Sequence, residues 1–247
     1  MVKNLNEDLR HILCYPIPTD ECFNTRVLEL SRLNVALIIP FGHVVLKGKI
    51  KVLGKGYASI VVKAVDLEDN VVALKIRRVD SRRSSLIHEA ENLALANTVN
   101  VGPRLLGFTE DMIMYEYING IRLKEFIESM SRNHIIKMIS DLFRQCFRLD
   151  MIGLDHGELS RPYSHILVRE PHKPYIIDFE SSSVRRRPSN LTSIISSLII
   201  REGSLQQKLR VILGVSNKQL LIEALREYKR NIGPRMFLKI LKLLNLA

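Results

Sequence analysis

Between His43 and Arg77 the chain reads as β-strand three times in succession. VVLKGKIKVLG, ASIVVKAVDL and NVVALKIRR are rich in Val and Ile and are broken by Gly-Lys-Gly and Glu-Asp-Asn. β-Branched runs separated by turn residues predict consecutive antiparallel strands. Residues 84–98, SSLIHEAENLALANT, then switch to helical spacing, with an apolar stripe through Leu86, Ala90, Leu93 and Ala94. Two short strands follow, around RLLGF and MIMYEY. After Asn119-Gly120 the pattern is mostly helical to about 152. A loop rich in Gly, His and Pro leads to strand-like HILV and PYIID, and helices fill the sequence from Asn190. Ahead of the strands, helix-like spacing at Val27, Leu30, Leu33 and Leu37 ends at Pro40. The expected organisation is α+β: an N-terminal helical extension over 1–42, a small antiparallel β-rich lobe with one main helix over 43–118, and a larger, mostly helical lobe over 119–247. With 247 residues, 46% of them hydrophobic, the chain can fill a core in each lobe.

Charge and cysteine usage narrow the surroundings. Lys and Arg number 37 against 26 Asp and Glu, a formal charge of +11. Such a surface favours polyanions: nucleotides, RNA or acidic peptides. Cys14, Cys22 and Cys146 form neither a CxxC pair nor a zinc spacing, and an odd, sparse count fits a reducing cytoplasm better than a disulfide scaffold. The opening MVKNLNEDLRHILCYPIP carries charges inside its short apolar stretches, unlike a signal peptide. VALIIPF and SIISSLII are shorter than the roughly 20 residues needed to span a bilayer. The expectation is a soluble, cytoplasmic protein without a membrane partner.

The segment VLGKGYASIVVKAV holds Gly54, Gly56 and, in the place of a third glycine, Ser59. Glycines in a hairpin let backbone N–H groups approach phosphates closely. Strands lie on both sides, whereas a dinucleotide fingerprint requires a helix after the glycines and a Walker A loop requires GxxxxGK followed by Ser or Thr. A plain hairpin turn is the alternative. The next strand places Lys75 after Val72, Ala73 and Leu74. A glycine hairpin followed by V-A-L-K resembles the start of the protein kinase family, whose corresponding lysine contacts the α and β phosphates of ATP. That resemblance implies a carboxylate partner on the following helix. Glu89 and Glu91 flank the apolar stripe about equally, so periodicity does not separate them; the family register, Glu followed four residues later by Leu, fits Glu89 and Leu93. MIMYEYINGIRLKEFI resembles the connection between kinase lobes, where backbone groups around Glu116-Tyr117-Ile118 would meet an adenine edge.

Residues 153–168, GLDHGELSRPYSHILV, resemble the His-Gly-Asp-Leu and Asn-Ile-Leu-Val motifs of RIO and aminoglycoside-kinase-like proteins, with two departures. Glu158 stands for the aspartate that orients the attacking hydroxyl, and His165 for the metal-binding asparagine. A glutamate has similar basicity and reaches one methylene further; Asp155 is the alternative base. Histidine suits Mn²⁺ better than Mg²⁺, which prefers oxygen, so His165 is either a metal ligand or a supporting residue. Tyr175-Ile176-Ile177-Asp178-Phe179-Glu180 is an apolar strand ending in an acid, similar to the D-F-G metal loop with glutamate for glycine. A carboxylate there is costly unless paired or bound to metal. Together these segments resemble an archaeal, RIO-related group of predicted serine/threonine kinases, over residues 45 to 200. The resemblance implies ATP with Mg²⁺ or Mn²⁺ as cofactors, Lys75, Glu158 and Asp178 as catalytic residues, and Gly54, Gly56, Ser59, Lys75, Glu89, Glu116 and Ile118 around the nucleotide. It implies a hydroxyl-bearing protein substrate, with a small-molecule kinase, an ATPase or an ATP-binding scaffold as rivals. Arg185-Arg186-Arg187 is read as a binder of acidic or phosphorylated substrate, as RNA or ribosome contact, or as an exposed basic turn.

Overall fold

A computed structural model describes residues 7–247; the first six residues of the expected N-terminal extension lie outside the described part. The chain divides into two compact units, one of residues 1–94 with 103–117 and one of 95–102 with 118–247. An antiparallel sheet dominates the first and helices the second. This α+β organisation is consistent with a bilobal kinase-like fold.

In the first unit, helices α1 (Glu7–Leu13) and α2 (Asp20–Arg32) precede the strands. Thr19 caps α2 by accepting the Cys22 N–H at 3.2 Å. Helix α2 stops at Arg32 because Asn34 takes a left-handed backbone, φ 56°. Val35–Ile39, expected as the end of a helical region, is therefore strand β1. Strands β2 (Val44–Leu46) and β3 (Ile50–Val52) form a separate hairpin. Then come β4 (Gly54–Lys55), β5 (Ser59–Asp66), β6 (Val71–Arg77), helix α3 (Ile87–Asn97), β7 (Leu105–Phe108) and β8 (Met112–Glu116). The main sheet runs β1-β5-β6-β8-β7, with β4 paired to β5.

Alternation along β6 decides what each face does. Val72, Leu74 and Ile76, with Ile60, Val62 and Ala64 of β5, join one core with Leu9, Ile12 and Leu13 of α1 and Leu30 of α2. The N-terminal helices thus cover one sheet face and leave the other to α3. Buried Arg26 fastens α2 to the sheet. It donates to the carbonyls of Asp111 (3.0 Å) and Arg77 (3.2 Å) and pairs with the Asp111 carboxylate at 2.9 Å. Cys14 and Cys22 form a disulfide between the chain just after α1 and the first turn of α2. That runs against the expectation that the odd, sparse cysteine count fits a reducing cytoplasm better than disulfide bonding: spacing in sequence does not show that the turn between two helices brings the Cα atoms to 6.1 Å.

In the second unit, β9 (Ile121–Arg122), α4 (Leu123–Ser129) and α5 (Arg132–Met151) lead to the loop carrying Glu158. Gly120 is required by packing, since a Cβ there would lie 2.7 Å from the Val168 carbonyl oxygen. Strands β10 (Ile166–Arg169) and β11 (Lys173–Ile176) complete a sheet ordered β11-β10-β9. Helix α6 (Asn190–Ile195) continues as a π-helical turn over Ser196–Ile200, followed by α7 (Ser204–Leu213), α8 (Lys218–Arg230) and α9 (Pro234–Leu243). Among the described residues no helix is long and apolar enough to cross a membrane.

Candidate functional site

Each unit carries its own group of candidate site residues. In the first, Lys75 lies on β6 opposite Val61 of β5 and Ile113 of β8, on the face away from the N-terminal helices. Its Nζ donates to Glu89 Oε1 at 2.7 Å, and both side chains are less than a tenth exposed. The choice between Glu89 and Glu91, open to periodicity, falls on Glu89. A buried lysine of this kind stays only where a carboxylate compensates it, since an isolated charge at such a place is strongly unfavourable.

Gly54 and Gly56 sit at β4 and just after it; the Gly56 N–H donates to the Ser59 carbonyl at 2.8 Å. A Cβ at Gly54 would come no nearer than 4.0 Å to Val61 Cβ, and at Gly56 no nearer than 3.6 Å to Ser59 O. Nothing in the fold of this unit demands glycine at either place. Ser59 is buried at the start of β5, opposite Arg77. Glu116 ends β8, with its N–H on the Arg104 carbonyl at 2.9 Å. Ile118 is buried and belongs to the second unit.

The second unit builds an acidic loop on a buried polar frame. Asp150, at the end of α5, accepts from the N–H and Nδ2 of Asn190 (2.9 and 2.8 Å), the Leu191 N–H (3.1 Å) and the Tyr228 hydroxyl (2.9 Å). Burial pushes the Asp150 carboxyl above its ordinary value, and these donors offset part of the shift. Asn190 also donates to the Leu154 carbonyl at 2.7 Å and accepts the His156 N–H at 2.8 Å. Both ends of its amide are therefore used. His156, fully buried, donates from Nε2 to the Ile177 carbonyl at 3.1 Å, which leaves Nδ1 as an acceptor facing the Glu158 N–H at 3.4 Å. Burial, and then the neighbouring His165, push its pKa down to about 4. The ring meets Phe179 and His165 edge-on at 5.1 and 5.6 Å.

This frame holds the acids. Asp178 follows β11 with a left-handed backbone, φ 70° and ψ 72°, a conformation that Asp tolerates better than most residues and that recurs at functional sites. Its Oδ2 lies 3.6 Å from His165 Nδ1. Glu158 receives the Ser181 hydroxyl on Oε1 at 3.2 Å, with Arg161 3.6 Å from Oε2. The structure thus brings Glu158, His165 and Asp178 onto one frame in the second unit. Asp155 is differently occupied: it pairs with Arg186 and accepts from the N–H and hydroxyl of Ser189 at 2.9 and 3.3 Å. Sequence reasoning missed Asp150, Asn190 and Tyr228, and read Arg186 only as part of the arginine run, without its bond to Asp155. The one available signal was an acid closing the apolar helix α5.

No protein-family model matches the chain. Two curated proteins are similar to parts of it, and the first of them supports a relation to the kinase-like proteins. The KEOPS complex subunit Bud32 of Pyrococcus abyssi is 37% identical over 101 residues, 40% of this chain. That match spans 44% of the length of Bud32. The uncharacterized protein MJ1211 of Methanocaldococcus jannaschii is 26% identical over 117 residues, 47% of this chain and 98% of that protein.

Proposed function

We propose that this chain is an ATP-dependent, RIO-like kinase that transfers the γ-phosphate to a serine or threonine hydroxyl of a protein. The observation that carries the reading is the dry Lys75–Glu89 pair, which points a fixed ammonium along the sheet face opposite the N-terminal helices. In this reading Lys75 holds phosphate oxygens, and Gly54 and Gly56 leave room for them. That neither glycine is needed by its own unit supports the fit. Asp178, with a side chain 39% exposed, offers the hard oxygen that Mg²⁺ or Mn²⁺ prefers, and His165 fits Mn²⁺ more than Mg²⁺. A bound divalent ion would supply neutralisation of phosphate charge. Glu158 orients the acceptor hydroxyl, as its acceptance of the Ser181 hydroxyl illustrates. The Pyrococcus relative is named as a subunit of a complex, and we extend the expectation of a protein partner to this chain.

One observation favours a second reading, an ATP-binding protein without turnover: Ser181 and Arg161 already engage the Glu158 carboxylate. Labelled ATP with Mg²⁺ or Mn²⁺ separates the two. The kinase reading expects label on protein, lost in Lys75→Ala, Glu158→Gln and Asp178→Ala. Tight nucleotide binding with no transfer by the wild type overturns it, and release of free phosphate alone points to an ATPase.

A further inference from the structure

The three arginines after Asp178 read in sequence as a binder of acidic substrate or RNA or as an exposed basic turn, yet two of them are committed to the protein itself. Arg187 donates to the Arg230 carbonyl at 2.8 Å. Arg186 is held more fully. Its Nε pairs with the Asp155 carboxylate, and one Nη donates both to the Asp155 carbonyl at 3.2 Å and to the Ser181 carbonyl. The guanidinium lies against Gly157, whose φ of +87° already disfavours a side chain. A Cβ at Gly157 would collide with the guanidinium and stand 2.8 Å from the Ser181 oxygen. One side chain therefore touches Asp155, Gly157 and Ser181. Those are the stem of the Glu158 loop, the residue beside Glu158, and the residue whose hydroxyl donates to the Glu158 carboxylate. Asp155 and Ser183 exchange backbone hydrogen bonds at 3.0 and 2.9 Å across the same two segments. The Asp155 carboxylate is only 8% exposed, so removing its cation would leave a buried charge with the Ser189 donors alone. The planar guanidinium fork serves several acceptors at once, where an ammonium acts as a point charge.

We propose that Arg186 is the positioning residue of Glu158, clamping the 155–158 loop to the 181–183 segment so that the Glu158 carboxylate stays where an acceptor hydroxyl meets it. The inference rests on reading Glu158 as the acceptor-orienting group. It makes Asp155 the anchor of the clamp and not a rival base, and it commits the Arg186 guanidinium, although its side chain is 46% exposed, to acceptors within the protein.

The test uses the full chain with Arg186→Gln, Arg186→Lys and the double variant Asp155→Asn/Arg186→Gln, which leaves no buried charge unpaired. Hydrogen exchange at the Asp155 and Ser183 amides reads the clamp without reference to activity. Phosphate transfer reads its consequence. Arg186→Gln is expected to speed exchange at both amides about 10-fold, the loss of roughly one hydrogen bond's worth of protection, with α5 and α8 unchanged. It should lower kcat between about 10- and 100-fold, as displacement of a reacting group by about 1 Å does, while KM for ATP stays within about twofold. Arg186→Lys should regain part of the exchange protection and little of the rate. Should Arg186→Gln fail to fold, the double variant carries both measurements, with kcat still low despite restored melting. Wild-type exchange at both amides, or wild-type kcat in a folded Arg186 variant, overturns the clamp. If the wild type transfers no phosphate, the kinase reading falls while the exchange result decides the clamp alone.

Discussion

The two units place their charged residues in opposite ways. The first holds Lys75 with regular structure: a strand sets the side chain on one face, and a helix brings Glu89 to it as an ion-pair partner. The second holds Asp178 and Glu158 on irregular backbone, and a connected set of buried polar groups replaces regular secondary structure there. Strand and helix periodicity can aim a long side chain with little help. A loop with left-handed turns at Gly157 and Asp178 has to be stitched from beneath.

The sharpest break of this contrast is Asp150→Ala. It strands four donors in a dry interior, and we expect a loss of about 4 kcal/mol, read by urea unfolding. Glu89→Ala, which takes the Glu89 carboxylate away from buried Lys75, should cost about 3 kcal/mol. The paired replacement Lys75→Met/Glu89→Leu should recover most of that stability, because packed apolar groups satisfy the site as well as a salt bridge does. Recovery of the Asp150 frame by apolar substitution should fail, since backbone N–H groups remain. If both recover equally, the contrast is wrong.

Acid should act on the second unit through His156. Its folded pKa of about 4 lies below the ordinary value of 6.5, so the unfolded chain binds the proton more readily. This contribution is fully present above about pH 6.5 and is lost as pH falls toward 4, a change of about 3 kcal/mol. Denaturant titrations at pH 7 and pH 4 in chelator should show the drop, and His156→Gln should flatten it. The smallest expected effect belongs to the first unit: reducing Cys14–Cys22 reopens an eight-residue separation. By loop entropy it should cost about 2.5 kcal/mol, seen as a lower melting temperature in reductant.

Legibility in the sequence follows the same division. The strands around Lys75 were readable because Val and Ile runs alternate with turn residues, while periodicity left Glu89 and Glu91 open and only the resemblance to the kinase register pointed to Glu89. Helix α3, the β10–β11 hairpin and the helices after Asn190 were readable for the same periodic reason. Val35–Ile39 was not, because five apolar residues suit a helix end as well as a strand, and the left-handed Asn34 that separates them has no distinctive signature. The polar frame was also hidden. Asp150 meets Asn190 across 40 positions and Tyr228 across 78, and no local pattern links residues so far apart. Arg186 was masked by its neighbours: in a row of three exposed arginines, the one bonded to Asp155 and Ser181 looks like the others.

The covering of the sheet by α1 and α2 has a practical consequence for anyone who trims this protein. A cloning boundary drawn just before the glycine hairpin, where the kinase resemblance begins, would strip the lid from Val62, Val72, Leu74 and Ile76. The product would keep every residue of the Lys75 site and present a bare apolar sheet to water, a surface prone to self-association. Expression trials should therefore treat the first two helices as the back wall of the sheet, inseparable from the strand that carries the lysine.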